Sequence, residues 1–202
     1  MGVLYALESI RTPALDKLMS VITLLGGELF FMVIAVTVFW CVSKREGYYL
    51  MIVGFFGTVI NQFLKILCCV PRPWIKDPDF TIVESARAEA TGYSFPSGHS
   101  QMMATVGSAI PLWYWKNSLW YFFIPLRFLV AFSRMYLGVH YPRDVFVGLL
   151  LGVGISWLCA KLWDRALGHS GLFAATFGLM SIFLFVARSH DFLQLYGLFG
   201  GF

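Results

Sequence analysis

Two long apolar segments of the chain meet at a polar junction, Ser133-Arg134-Met135-Tyr136-Leu137-Gly138-Val139-His140-Tyr141-Pro142-Arg143-Asp144. Ionisable groups at membrane depth are costly, so they are by default a functional-site hypothesis. Pro142 suits the first turn of a helix, which would place Asp144 where the helix dipole favours a carboxylate. From there Asp144 can hold one ring nitrogen of His140 and leave the other free as nucleophile or base. The alternative interpretation is an ordinary helix start with an incidental histidine.

Two further stretches favour the functional interpretation. Lys65 and Arg72 are seven residues apart, so they share one face of a helix that the flanking prolines end. The second stretch is Pro96-Ser97-Gly98-His99-Ser100, directly before an apolar segment. Serine and glycine before a helix form an anion-binding terminus of backbone N–H groups. Together the three stretches supply cations, N–H donors and two histidines, a set that suits phosphoryl transfer.

The same positions resemble the three-part signature of the type-2 phosphatidic-acid phosphatase superfamily, which includes lipid phosphate phosphatases and glucose-6-phosphatase. All eleven motif positions are filled in the family's order, and they are Lys65, Arg72, Pro73, Pro96, Ser97, Gly98, His99, Ser133, Arg134, His140 and Asp144. At about one chance in twenty per position, coincidence is a poor explanation. The motifs cover the segment from Lys65 to Asp144; outside it the resemblance rests on helix layout.

The resemblance implies a role for each site residue. His140 attacks phosphorus and becomes a phosphohistidine, Asp144 orients it, and His99 protonates the leaving oxygen and later activates water. The non-bridging oxygens are held by Lys65, Arg72, Arg134 and the backbone of Ser97 and Gly98. No metal or other cofactor is expected, because protein cations neutralise the phosphate.

The composition is that of an integral membrane protein. The 202 residues are 58% hydrophobic and 13% charged, whereas a soluble domain carries about a quarter charged residues. We expect one membrane-embedded phosphatase domain over residues 1–202. The net charge of +4 is small and there is no basic run, so a nucleic-acid partner is not indicated.

The hydrophobic pattern predicts an all-α bundle of about six transmembrane helices preceded by an amphipathic interfacial helix. Residues 2–18 repeat apolar side chains at intervals of three and four, with a break near Pro13. The six predicted spans are residues 27–42, 48–70, 100–115, 119–138, 145–163 and 171–187. The apolar tail, residues 192–202, is consistent with the start of a seventh span that the chain leaves incomplete. His169 and His190 are interpreted as interfacial residues.

This layout places all three motifs on one membrane face, reached by the ends of the second and fourth spans. The opposite loops hold Lys44, Arg45, Lys116, Lys161 and Arg165. By the positive-inside rule these loops are cytoplasmic, so the active site is expected on the non-cytoplasmic face. The long polar connection, residues 74–93, either covers this site or is a plain surface loop.

The motifs predict that the substrate carries a phosphate group, but they do not determine the chemical identity of the leaving group. A lipid phosphate or isoprenyl diphosphate is the favoured substrate, and a sugar phosphate is the alternative. Transfer of the phosphate or a phospho-head group to an acceptor other than water would use the same residues. A membrane transporter or scaffold with a relict site is a third possibility, which the intact motif set disfavours.

Overall fold

The computed structural model describes residues 1–114 and 117–165, together with the single positions 174 and 178. Within these residues the chain is helical and contains no β-strand, which confirms the predicted fold class. The helices are α1 (Gly2–Ser9), α2 (Pro13–Leu24), α3 (Glu28–Thr37), α4 (Lys44–Cys68), the short α5 (Pro73–Lys76), α6 (Gly98–Tyr114), α7 (Asn117–Tyr136) and α8 (Pro142–Arg165). A π-helical turn, Val38–Val42, extends α3.

The N-terminal segment is helical and is broken near Pro13, as predicted. Its two helices are separated at Thr12, whose side chain accepts a hydrogen bond from the N–H of Leu15 and so caps α2. Leu4 on α1 is fully buried, whereas Val3 and Ile10 are exposed. The face of α1 that carries Leu4 therefore packs against the rest of the protein.

Helix α6 lies at the centre of the bundle, between α4, α7 and α8. Gly148 and Gly152 of α8 have no side chain to separate the two helices, and a Cβ added to Gly152 would lie 2.4 Å from the carbonyl oxygen of Gln101 on α6. A Gly-x3-Gly spacing on an apolar helix favours such close packing, and Gly148 and Gly152 provide it here. Because α6 and α8 begin at the same end of the bundle, their close contact fixes the relative positions of the motifs they carry.

Two of the described helical segments, Lys44–Lys76 and Pro142–Trp163, are long and apolar enough to cross a membrane. A third span results if α2 is counted together with α3 and its π-helical turn; the two halves, Pro13–Leu24 and Glu28–Val42, are bent by 45° relative to each other. Helix α6 has only 17 residues. The charged Arg127 lies within the otherwise apolar sequence of α7, where it donates to the carbonyl of Gly107 at 2.9 Å. The count of about six spans stays a prediction, since the sixth span, the apolar tail, His169 and His190 lie outside the described residues.

Candidate active site

Four elements bring the motif residues to one end of the bundle. Helix α4 ends there, α6 and α8 begin there, and α7 leads into a turn, residues 137–141, that we call the active-site turn. The N–H of Ser97 donates to the carbonyl of Asp144 at 3.0 Å, which joins the starts of α6 and α8. Arg72 Nη1 lies 3.3 Å from His140 Nε2, which joins the end of α4 to the active-site turn.

His140 is 2% exposed and lies between Arg72 and Asp144. A guanidinium can only donate, so the Nε2 facing Arg72 is the acceptor and the proton of the neutral ring is assigned to Nδ1. Nδ1 lies 3.7 Å from Asp144 Oδ2, close enough for an ion pair but longer than a hydrogen bond. Asp144 therefore lies beside Nδ1 of His140, as predicted, but it does not make a direct hydrogen bond to that nitrogen.

Burial holds the pKa of His140 well below its ordinary value, and the positive charges of Arg72, Arg134 and Lys65 lower it further. Because removal from water penalises the imidazolium and three cations repel it, the neutral ring prevails. A neutral imidazole is the form that can act as a nucleophile.

The Asp144 carboxylate is held by groups that sequence reasoning did not single out. Its Oδ2 accepts a hydrogen bond from the Ser94 hydroxyl at 2.5 Å and another from the N–H of Tyr141 at 3.1 Å. Both Ser94 and Asp144 are fully buried. These two bonds orient the carboxylate, and they also explain why Oδ2 stands back from the ring of His140.

Arg72 is fixed by backbone carbonyls on both sides of the site. It donates to Thr91, Gly92 and Val139 at 2.7, 3.0 and 3.0 Å, respectively. Two of these acceptors belong to the long polar connection, residues 74–93, and its C-terminal part therefore forms a wall of the site. No side-chain pattern could have revealed them, because every residue carries a backbone carbonyl.

Arg134 and Lys65 complete the positive charge. The Nη1 of Arg134 donates to the hydroxyl of Thr23 at 2.9 Å, and its Nε is buried without a hydrogen-bond partner. Lys65 interacts electrostatically with Arg72 and Arg134, and its amino group makes no hydrogen bond within residues 1–114 and 117–165. The unused donors of Arg134 and Lys65, together with the positive charge of Arg72, form a site suited to a multiply charged anion.

His99 has a carboxylate partner that the sequence motifs did not include. Its Nε2 lies 3.1 Å from Glu89 Oε2, and the same oxygen lies 3.9 Å from Arg134 Nη1. The hydrogen bond with His99, together with the charges of His99 and Arg134, lowers the pKa of Glu89. Glu89 favours the protonated form of His99, but burial and the charge of Arg134 outweigh it and lower the pKa of His99 to about 4. A general acid must carry its proton, so the negative charge of a bound phosphate is needed to raise this pKa.

The start of α6 differs in one detail from the prediction that the Ser97 and Gly98 backbone binds phosphate. Because the N–H of Ser97 is used by Asp144, it is not free for a ligand. The Ser97 hydroxyl instead lies 2.9 Å from that of Ser100, inside the first turn. The N–H groups of Gly98 and His99 make no hydrogen bond within the described residues, so they replace Ser97 as the available donors at this terminus.

An apolar cavity of about 270 Å³ lies between the α2–α3 bend, α6 and α7. Its lining includes Leu25, Met102, Met103 and Phe123, and none of the lining side chains is polar. Met102 and Met103 follow His99 by one helical turn, and Gly26, beside Leu25, is in contact with the backbone of His99. The cavity therefore approaches the site from the side of His99.

A family model described as the PAP2 superfamily matches residues 45–167. An undecaprenyl-diphosphatase of Sulfolobus acidocaldarius is 32% identical over 156 residues, which cover 75% of this chain and 72% of that protein. A crystal structure of a transmembrane PAP2-type phosphatidylglycerolphosphate phosphatase from Bacillus subtilis is similar, with a TM-score of 0.66 and 29% identity over 82% of this chain and 84% of that one. The crystal structure of Aquifex aeolicus LpxE has a TM-score of 0.67 and 25% identity, covering 79% of this chain and 93% of that one.

Proposed function

The chain belongs to the PAP2 superfamily, and we propose that it is a metal-independent phosphatase that removes a terminal phosphate from a lipid phosphate or lipid diphosphate. One observation carries the proposal. A buried histidine, His140, lies between a fixed cation and a fixed carboxylate, with a second histidine–carboxylate pair on α6 and its neighbouring loop. This is the set of groups that in-line displacement at phosphorus requires.

In the first step, His140 Nε2 attacks phosphorus and the bond from phosphorus to the lipid oxygen breaks. His99 donates its proton to that oxygen, which leaves as an alcohol or as the remaining phosphate of a diphosphate. The new phosphohistidine is cationic, and Asp144 stabilises it from the Nδ1 side. In the second step, water attacks phosphorus, His99 accepts the water proton, and His140 leaves with its electron pair restored.

Lys65, Arg72 and Arg134 stabilise the charge on the non-bridging oxygens, together with the N–H groups of Gly98 and His99. The rigid support of Arg72 by three carbonyls favours catalysis, because donors that need not reorganise stabilise a transition state more effectively. The expectation of no metal stays a prediction, and it is tested below with a chelator.

Two observations support a lipid as the substrate. The cavity that Met102 and Met103 line, one helical turn along α6 from His99, is bounded by apolar side chains only, so it suits a hydrocarbon chain on the leaving-group side of phosphorus. Both the Sulfolobus acidocaldarius and the Bacillus subtilis relatives are named as phosphatases of lipid phosphates. Neither observation favours a sugar phosphate or a transfer reaction.

The chain is an integral membrane protein, and we place the active site on the non-cytoplasmic face of a multi-pass bundle. The long helices α4 and α8 both have one end at the site. Lys44 and Arg45 begin α4 at its other end, and Lys161 lies near the far end of α8. The positive-inside rule assigns that far end to the cytoplasm.

The test is a phosphate-release screen in detergent with isoprenyl diphosphates, phosphatidyl phosphates and sugar phosphates, run on the wild type and on His140→Ala. We expect release from one or both lipid classes and a loss of about a thousandfold or more in the variant, by analogy with removing one member of a catalytic triad. Release from sugar phosphates alone would overturn the lipid assignment. Wild-type turnover in His140→Ala would overturn the phosphohistidine mechanism.

A further inference from the structure

Arg11 lies at the break between α1 and α2, and its guanidinium reaches two distant segments. Its Nε donates to the carbonyl of Tyr136 at 3.1 Å, and its Nη1 donates to the carbonyl of Thr81 at 2.8 Å. The guanidinium carbon also lies 5.5 Å from the centre of the Phe80 ring. One side chain thus joins the N-terminal segment, the long polar connection and the end of α7.

The contact with Tyr136 is directed at the active-site turn. Tyr136 is the last residue of α7, and the carbonyls of a final helical turn lack partners inside the helix. The next glycine, Gly138, has a φ of +82°, and a Cβ added there would lie 2.7 Å from Arg11 Nη2 and 3.0 Å from the Phe80 ring. Arg11 and Phe80 therefore lie directly against the backbone of the turn, two residues before His140.

The active-site turn is held from two sides. On the inner side Val139 accepts a hydrogen bond from Arg72, and on the outer side Tyr136 accepts one from Arg11. The Tyr136 hydroxyl also donates to Asp16 on α2 at 2.9 Å. The N-terminal segment therefore binds both the backbone carbonyl and the side chain of Tyr136. With Arg11 removed, the carbonyl of Tyr136 loses its side-chain partner, and the turn that carries His140 keeps the Arg72 contact at Val139 and the bond from the N–H of Val83 to the carbonyl of Leu137.

We propose that Arg11 is a positioning residue for phosphoryl transfer, which acts by holding the active-site turn so that His140 Nε2 is aligned with the phosphorus. The inference rests on the proposed phosphatase function. Arg11 touches neither the substrate site nor any of the motif residues named above, and it acts through the backbone of Tyr136 and Gly138. The N-terminal segment is then part of the catalytic unit, although the sequence motif begins at Lys65.

The test compares Arg11→Met and Arg11→Lys with the control Arg87→Met. Methionine keeps an unbranched apolar stem, and lysine keeps the charge but lacks the planar fork that serves two carbonyls at once. Arg87 pairs with Glu84 in its own turn and is half exposed. Its replacement removes one cation from the long polar connection, which Arg11 also contacts, without loosening the active-site turn. The measurements are kcat, KM and the inhibition constants of inorganic vanadate and inorganic phosphate.

Vanadate separates positioning from folding and from binding. It adopts the five-coordinate geometry of the transition state and needs an aligned nucleophile, whereas phosphate needs only the cations. We expect both Arg11 variants to lose about tenfold to a hundredfold in kcat, the effect of a misplacement near 1 Å. The vanadate inhibition constant should rise by a similar factor, and KM, the phosphate constant and all values of Arg87→Met should stay close to wild type.

Each other result overturns the inference. A lower kcat with an unchanged vanadate constant means a smaller folded fraction and a purely structural role. A raised KM and phosphate constant means that Arg11 binds substrate, and wild-type values mean that it has no role. If Arg11→Met fails to fold, Arg11→Lys decides alone. A wild-type protein that releases no phosphate and ignores vanadate would instead refute the proposed function.

Discussion

Replacing Gly152 by alanine tests whether the contact between α6 and α8 sets the geometry of the active site. An added Cβ would lie 2.4 Å from the carbonyl oxygen of Gln101, 2.7 Å from the Cβ of Ala104 and 2.8 Å from the nitrogen of Thr105. Backbone atoms cannot rotate away, so the helices must separate by roughly 1 Å to restore ordinary contacts. The separation would also strain the Ser156 hydroxyl, which donates to Thr105 across this interface at 2.8 Å.

The magnitude follows from two opposing effects. Overpacking of this kind costs about 1–3 kcal/mol, and alanine is favoured over glycine inside a helix by about 1 kcal/mol. Gly154 lies on the exposed side of the same helix, with nothing within 4 Å of an added Cβ, so Gly154→Ala carries only the favourable effect. The difference between the two variants therefore isolates the steric cost, which we expect to be about 1–3 kcal/mol in favour of Gly154→Ala.

The activity change should be larger than the stability change suggests. Helix α6 carries His99 and α8 carries Asp144, and a displacement near 1 Å at a catalytic group can lower the rate about a hundredfold. The assay measures thermal unfolding in detergent and kcat for lipid phosphate release by both alanine variants. Equal unfolding temperatures and equal kcat values for Gly152→Ala and Gly154→Ala would show that the close contact does not control the site.

Three further predictions concern the groups around the two histidines, and a fourth concerns metal. Ser94→Ala removes one of the two charge-assisted hydrogen bonds of the buried Asp144 carboxylate, which should cost about 1.5–3 kcal/mol of stability; unchanged unfolding with unchanged kcat would contradict this. His140 is active when neutral and its pKa is lowered, so the acid limb of the kcat/KM profile should lie below about pH 6.5, the ordinary histidine pKa; an acid limb centred at or above that pH would be inconsistent. Glu89→Gln removes the charge that stabilises protonated His99, so the alkaline limb of the rate profile should move to lower pH. The rate with an alkyl phosphate should fall more than the rate with a nitrophenyl phosphate, whose leaving group needs no proton. Equal losses on both substrates, with phosphorylation as the limiting step, would argue against the acid role of His99. Phosphate release should persist in EDTA, and activity lost in EDTA and restored by a divalent metal would reveal a metal site.

Much of the candidate site could be predicted from the sequence because its chemistry depends on a few residue types at short, regular intervals. Pro142 and Asp144 mark a helix start, which a local rule places correctly. The prediction that Lys65 and Arg72 share a helical face is wrong, because α4 ends at Cys68 and Arg72 lies in extended backbone beyond it. The glycine spacing of α8 likewise predicts close contact with a neighbouring helix. Helical periodicity identifies the all-α class and the amphipathic N-terminal segment for the same reason.

The partners of these residues were decided only by tertiary structure. Glu89 and Ser94 lie in or just beyond a polar connection without periodicity, so nothing local indicates that one meets His99 and the other Asp144. The carbonyls that hold Arg72 have no sequence signal at all, and the N–H of Ser97, expected to bind phosphate, is taken by a carbonyl 47 residues away in the chain. Arg11 belongs to the same class, since it acts on Tyr136 from the far end of the sequence. Local propensity determines which groups a helix end presents, but only the packing of distant segments determines which of those groups remain free to bind a substrate.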